Sequence, residues 1–413
     1  MSILIRSRLL IVDPAKPVIP NGVVLVTGDR IVAAGEPASV DPPENCRVVD
    51  CSEWTVMPGL IDSHVHITVN NRFKIPLSAH FDLDQTTAVL RGAMNLRSDL
   101  ATGVTTMRAL GDRPGVEKAF KDAIDRGETV GPRLRVCVRA LRPSHGTAPF
   151  LCCPADGEAE LGLKIRENFA GGADWTKLFI TNVRAGDTFE DYLRGDLTNI
   201  PAYSRGEIEA AIVASHDLGL PVAAHAIGGP AMRWAMAAGI DSIEHANLLE
   251  AEDVELFVKS GAYLSDPNLQ LFFDPEVGFE SFETWHWDWW RPRVERAREL
   301  TARYLPEAVR AGVKVCLGTD STHATLWREA KALVGLGVSP VEVLKTMTTH
   351  PAEMLGMADQ IGRIAPGKWA DLVAVEGNPL DEIACLKQVR MVMKAGNPVA
   401  DVLNGASDVF SDG

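Results

Sequence analysis

The segment Pro58-Gly-Leu-Ile-Asp-Ser-His64-Val-His66 places two histidines one residue apart after an apolar run. In an extended strand, residues i and i+2 project to the same face. His64 and His66 therefore point together from a strand end, and two converging imidazoles can hold a divalent cation such as zinc. Alone, the pair is also what two ordinary polar residues at a strand end would look like. Ligand-type residues recur, however, after later apolar runs. Lys177 lies in Trp175-Thr-Lys-Leu-Phe-Ile180, and His225 ends Pro221-Val-Ala-Ala-His225. His245 ends Ile240-Asp-Ser-Ile-Glu-His245, and Asp320 ends Val315-Cys-Leu-Gly-Thr-Asp320. Polar residues with no common task would scatter over outer helix faces instead.

The elements that must carry these residues alternate. Strand-like runs fall at 57–62, 103–107, 134–140, 175–180, 220–224, 240–244, 262–265 and 313–318. Segments with helical spacing lie between them, at 84–101, 115–126, 158–170, 204–218, 229–238, 250–260, 291–311 and 339–349. Repeated strand–helix units predict a parallel sheet of the α/β class, and this length predicts a (β/α)8 TIM barrel over residues 57–365. A doubly wound open sheet would usually show a Gly-rich phosphate loop after its first strand. None follows residue 62. In the barrel, active sites collect at the C-terminal ends of strands, which is where the six candidates fall. Residues 1–56 and 366–413 have a different texture, with β-branched runs cut by Pro, Gly and Asp. Each end is too short to bury a core alone, so the two are expected to pair into one small composite β-sandwich domain.

Composition narrows the function class. The 413 residues carry a formal net charge of −14, which argues against nucleic acid and anionic membranes as partners. A small-molecule substrate and self-association into a homo-oligomer are the expected partners. Seven cysteines occur with irregular spacing and no CxxC pair, so neither a disulfide framework nor a zinc finger is expected. The N-terminal apolar runs are cut by Arg6 and Arg8, a poor signal peptide, and no apolar stretch is long enough to span a bilayer. A cytoplasmic location is expected.

The full pattern resembles the amidohydrolase superfamily, with HxH on strand 1, Lys on strand 4, His on strands 5 and 6, and Asp on strand 8. The likeness covers nearly the whole chain, including Gly362-Arg-Ile-Ala-Pro-Gly-Lys-Trp-Ala-Asp-Leu-Val373. Gly172-Ala-Asp-Trp-Thr-Lys177 and Ser242-Ile-Glu-His-Ala246 resemble the branch of Xaa-Pro dipeptidase-like, ochratoxin-type amidase and imidazolonepropionase-like proteins. The resemblance implies a binuclear centre of two divalent cations, zinc first, with manganese and cobalt also suited to these ligands. His64, His66 and Asp320 would hold one cation, and His225 and His245 the other. Lys177 would bridge them after N6-carboxylation by CO2, since a free ammonium cannot ligate. A mononuclear site with an uncarboxylated lysine is the alternative. The implied activity is hydrolysis of a C–N bond in an amide, urea or carbamate by a metal-activated water, with Asp320 as the catalytic proton carrier. N-acyl amino acids, Xaa-Pro dipeptides and aromatic xenobiotics are the candidate substrates. Ester, lactone or phosphotriester hydrolysis is the second reading. A non-catalytic binding protein is the third, disfavoured because all six ligand positions are filled.

The substrate-facing residues are less marked. His145, in Leu141-Arg-Pro-Ser-His-Gly146, is implied by the resemblance to face the site and hold the substrate oxygen. Arg142 is a candidate fork for a substrate carboxylate. His323 is a candidate support for a ligand. Thr284-Trp-His-Trp-Asp-Trp-Trp-Arg291 offers Trp285 and Trp287 either as an aromatic wall or as a packing or oligomer surface. Relatives often place a second His before the Gly in the segment after His225; Ile227 stands there, making that subsite less polar.

Overall fold

The structure, a computed structural model, describes residues 2–69, 83–184, 186 and 188–399. Eight parallel strands form its centre: Leu60–Val65, Val104–Ala109, Arg133–Val136, Thr176–Phe179, Val222–Ala226, Ser242–His245, Tyr263–Ser265 and Val315–Cys316. The ring closes where Ser63 N donates to Leu317 O (3.0 Å) and Asp320 N to His64 O (2.8 Å). Between the third and fourth strands, Asp174 N donates to Val136 O (2.7 Å). The third strand is broken at Val138, whose φ is 67°, and resumes as Ala140–Arg142 beside the fourth. Barrel strands are covered on both faces, which is why they read as unbroken apolar runs. All six residues of Leu60–Val65 are buried.

The helices form for local reasons. Ser204 and Glu207 make a capping box at the start of Arg205–His216, and its stripe of Ile208, Ala211, Ile212 and Ser215 is buried. Asp84 caps Gln85–Ala101 by accepting from Thr87 N. The helices Phe189–Gly195, Leu269–Phe273 and Leu326–Gly335 lie outside the expected set, and Thr349–Met354 begins where its last segment ends. No helix of the described residues is long and apolar enough to cross a membrane.

Both chain ends do share a sheet. Its order is Asn397–Pro398, Val389–Lys394, Leu372–Val375, Arg47–Pro58, Ser2–Leu10, Val23–Thr27 and Arg30–Gly35, with Ile19–Pro20 beside Ser2–Leu10. Hydrogen bonding runs unbroken through these strands, so the two layers expected of a sandwich are not separate sheets. The reason is Arg47–Pro58, whose first ten residues lie along Ser2–Leu10 while its last four pair with Leu372–Val375. One face buries Ile3, Ile5, Val24 and Met391, and the other buries Leu4, Val23 and Leu25 under Val40. The part of 366–413 beyond 399 lies outside the described residues. Gly59 joins sheet to barrel so closely that a Cβ there would lie 2.3 Å from Thr105 Oγ1.

Candidate metal centre and substrate cavity

The barrel brings the four histidines of the first, fifth and sixth strands together. Ring centroids lie 5.2 Å apart for His64–His66, 5.1 Å for His64–His245 and 4.7 Å for His225–His245. His66 Nε2 lies 3.5 Å from Asp320 Oδ1. Ligand atoms of His64, His66 and Asp320 fall within 4.8 Å of one another. The same holds for His64, His245 and Asp266, a carboxylate not expected from the sequence. Lys177 is fully buried, with Nζ 5.1 Å from the Phe179 ring centroid, and Phe179 stacks on His225 at 4.8 Å. Lys177 and Phe179 share an inward face because they are two apart on one strand.

Burial sets the charge states. It pushes His64 and His225 well below the usual imidazole range and takes His245 down to about 4, leaving lone pairs free for ligation. It also lowers Lys177, favouring the neutral amine. For Asp320 burial works upward, but His66, His64, His245 and Lys177 outweigh it and hold the carboxyl at about 2. Asp266, buried beside Asp320 and Glu329, is pushed well up.

Beneath the ligands sits a buried polar network. Arg108 donates through Nε to Ser63 O (2.6 Å), through Nη1 to Ser242 Oγ (2.9 Å) and through Nη2 to Glu244 Oε1 (2.8 Å). Its guanidinium also lies over Trp175 at 4.5 Å. Glu244 Oε2 in turn stands 3.1 Å from His64 Nδ1, so the network orients a candidate ligand. His66 is fixed by Gly111 O at 2.7 Å from Nδ1. His323 joins Asp99 Oδ2 (2.7 Å) to His66 O (3.1 Å), holding the backbone at the end of the first strand. Strand ends turn inward through left-handed backbone at His245 (φ 75°), Asp266 (φ 45°), Asn268 (φ 54°) and Asp320 (φ 52°). Such residues carry strain of about 1–3 kcal/mol each, held by the surrounding structure.

Gly318 is a tight point in this shell. A Cβ there would lie 2.8 Å from His64 N and 3.1 Å from Asp266 Cβ. Gly318→Ala is expected to destabilise the protein by about 1–3 kcal/mol, the usual cost of overpacking, and to weaken metal retention. Urea unfolding and elemental analysis check both; unchanged values would show that the shell gives way freely.

Above the ligands opens a cavity of about 320 Å3 lined by His66, His225, His245 and Asp320 together with Phe179, Tyr192, Phe272, Phe279, Trp287 and Trp290. Ile227 lines it too, as an apolar group beside the site. The expected substrate residues divide. Trp287 lines the cavity. Trp285 does not: it lies on a separate surface groove with Arg291 and Pro292. Arg142 departs from the expected role. Its Nη1 donates to Pro143 O, Ser144 O and Gly146 O (2.9, 2.8 and 3.3 Å), so the guanidinium holds its own loop and does not line the cavity. His145 sits exposed on that same loop, also off the lining. The loop turns it outward because Gly146 N folds back to Pro143 O (2.8 Å). Among the lining residues that escaped the sequence reading are Tyr192, Asp196 and Asn268. Asn268 Nδ2 lies 2.9 Å from His245 Nδ1 and 3.4 Å from Asp320 Oδ2.

Inward-turned strand ends that gather candidate cation ligands under an aromatic cavity, at the C-terminal mouth of a closed barrel, define a candidate metal site of a (β/α)8 barrel. The chain belongs to the amidohydrolase family, whose profile matches residues 55–399. The ochratoxinase of Aspergillus niger is 25% identical, over 94% of this chain and 84% of that protein. The imidazolonepropionase of Acidiphilium cryptum is 24% identical, over 92% and 93%. A solved Xaa-Pro dipeptidase with methionine bound in its active site superposes with a TM-score of 0.83 at 25% identity, covering 96% of this chain and 99% of that one.

Proposed function

We propose that this protein hydrolyses a C–N bond in an amide, urea or carbamate and works with two divalent cations. The observation that carries the reading is a set of buried polar atoms with no hydrogen-bond partner among the described residues: Lys177 Nζ, His64 Nε2, His225 Nε2 and both carboxylate oxygens of Asp266. Unsatisfied buried groups of this kind cost several kcal/mol together unless something else engages them. All are atoms able to ligate a cation or, for Lys177, to do so on carboxylation, so the residues present fit the group. His64, His66 and Asp320 would hold one cation and His225 and His245 the other, with N6-carboxylated Lys177 between them. Zinc is the first choice, with manganese or cobalt compatible. When bound, the cations supply Lewis-acid polarisation of a carbonyl and activation of water.

The chain's own groups then handle the proton and the substrate. Asp320 stays ionised, so it can accept a proton on a carboxylate oxygen and release it to the leaving nitrogen. Asn268 lies within reach of Asp320 Oδ2 and steadies it. The aromatic wall excludes bulk water and favours a bulky apolar or aromatic substrate part.

Lys177→Ala tests the bridge. It is expected to lower bound metal from two equivalents toward one or none, and activity by roughly 10³-fold, as befits loss of a metal whose Lewis acidity drives the step. The carbamate itself should appear as a carbonyl resonance when 13C-bicarbonate is added to the metal-loaded protein, and vanish in the variant. Full metal content and turnover in Lys177→Ala would refute the bridging role.

A further inference from the structure

The cavity is one-sided in its charge. Among the described residues that line it there is no arginine and no lysine, while Asp196, Glu283 and Asp320 contribute carboxylates. The two arginines of the neighbouring loops are turned to main-chain oxygens. Arg142 holds Pro143, Ser144 and Gly146, and Arg184 donates to Gly146 O and Gly186 O, both at 2.8 Å. Arg293 binds the carbonyls of Arg194 and Asp196 (2.7 and 3.1 Å). Away from the candidate cation ligands, a substrate carboxylate would meet an aromatic wall carrying Asp196 and Glu283 and, among the described residues, no cationic side chain to receive it, and burying an unpaired anion is strongly unfavourable.

Asp196 stands out within that wall. Its Oδ1 is held by Asn182 Nδ2 (2.7 Å) and Leu197 N (2.8 Å), and Oδ2 takes no hydrogen bond from the described residues. The neighbours on the cavity are apolar, with Leu193, Leu197, Phe272 and Trp290 close in the same cluster. Asp196 is thus a fixed acceptor, oriented from behind, in an otherwise apolar surface. Desolvation raises it to about 6, and Asp320 is near enough to push in the same direction. An N–H donor at the free oxygen would stabilise the carboxylate and so offset both effects.

We infer that the cavity selects a substrate whose bulky apolar or aryl part carries no carboxylate, and that Asp196 accepts a hydrogen bond from an N–H at or next to the scissile nitrogen. This rests on the reading of the site as a C–N hydrolase. It separates the candidate substrates: neutral aryl amides, ureas and carbamates fit, whereas N-acyl amino acids and dipeptides with a free carboxylate do not.

The test uses metal-loaded protein and three matched ligands: N-acetylphenethylamine, its N-methyl derivative, and N-acetylphenylalanine, which adds only the carboxylate. The neutral N–H compound is expected to exceed the carboxylated one by at least roughly tenfold in kcat/KM, and in binding followed by the initial change in tryptophan fluorescence. In Asp196→Asn, KM for the N–H compound should rise about tenfold with kcat within about twofold, because an amide N–H now meets the donor. The N-methyl compound should be indifferent to the substitution. Equal or better binding of N-acetylphenylalanine, or an unchanged KM in Asp196→Asn, would overturn the inference and leave C–N hydrolysis standing. No turnover of any member, nor of aryl ureas and carbamates, would instead sink the proposed reaction; the fluorescence titrations would still decide the subsite.

Discussion

Asp320→Asn is expected to preserve the fold and to lower kcat by about 10²–10⁴-fold, the range for losing a positioned proton carrier. The fold should hold because the backbone of Asp320, not its side chain, closes the barrel. Its N–H donates to His64 O (2.8 Å) and its carbonyl accepts from His66 N (2.9 Å). Asparagine also tolerates the left-handed conformation found at this position. What the variant loses is the charge. The carboxyl is ionised down to about pH 2 because four basic neighbours face it, and an amide neither accepts a proton under these conditions nor returns one to a leaving nitrogen. Steady-state kinetics, circular dichroism and metal content on the same preparation separate the contributions. A near-normal kcat with full metal content would remove Asp320 from the proton path.

The largest expected stability effect belongs to Arg108. Arg108→Met should cost about 3–5 kcal/mol, the range for removing one partner of a buried ion pair. The side chain and Glu244 are both fully buried, and their ion pair is 2.8 Å long. Truncation strands the Glu244 carboxylate, which is held far below its usual range chiefly against burial, with Arg108 the foremost stabilising charge. Adding Glu244→Leu to Arg108→Met should recover part of the loss, since a carboxylate that is absent needs no partner. Denaturant unfolding of the four members of that cycle gives the coupling directly. Strict additivity would mean that the two side chains act independently.

The expected ligands were legible because the barrel places them by a rule visible in one dimension: an apolar run, then a polar side chain, then a loop. The same rule, applied to the seventh run, points at Asp266. That run is only three residues of strand, Tyr263–Ser265, followed by Asp and Pro, and so reads as an ordinary turn. Arg108 and Glu244 were hidden for another reason. They meet across the barrel interior from positions 136 residues apart, and a charge inside each of two strand-like runs, Val104-Thr-Thr-Met-Arg108 and Ser242-Ile-Glu244, was the trace they left. The cavity wall was least legible. Phe189–Gly195 has mixed polarity and begins at a Thr188–Asp191 capping box, a local signal that says where a helix starts but not what it faces. Arg142 and His145 show the converse: a residue type suited to a role, placed by loop bonding somewhere else.

The sheet that joins the two chain ends has a consequence for the order in which the molecule is made. During synthesis the strands up to Pro58 emerge first, and the edge of Arg47–Pro58 that receives Leu372–Val375 has no partner until more than three hundred residues later. An open edge of this kind is a template for pairing with other chains. The barrel can close before that edge is covered, because Ser63 and His64 find their partners at Leu317 and Asp320. The last strands then act as a clasp fastened after the catalytic unit is complete. Release of a nascent chain stopped near residue 365 would yield a formed barrel with an unguarded strand, and aggregation would begin at residues 55–58.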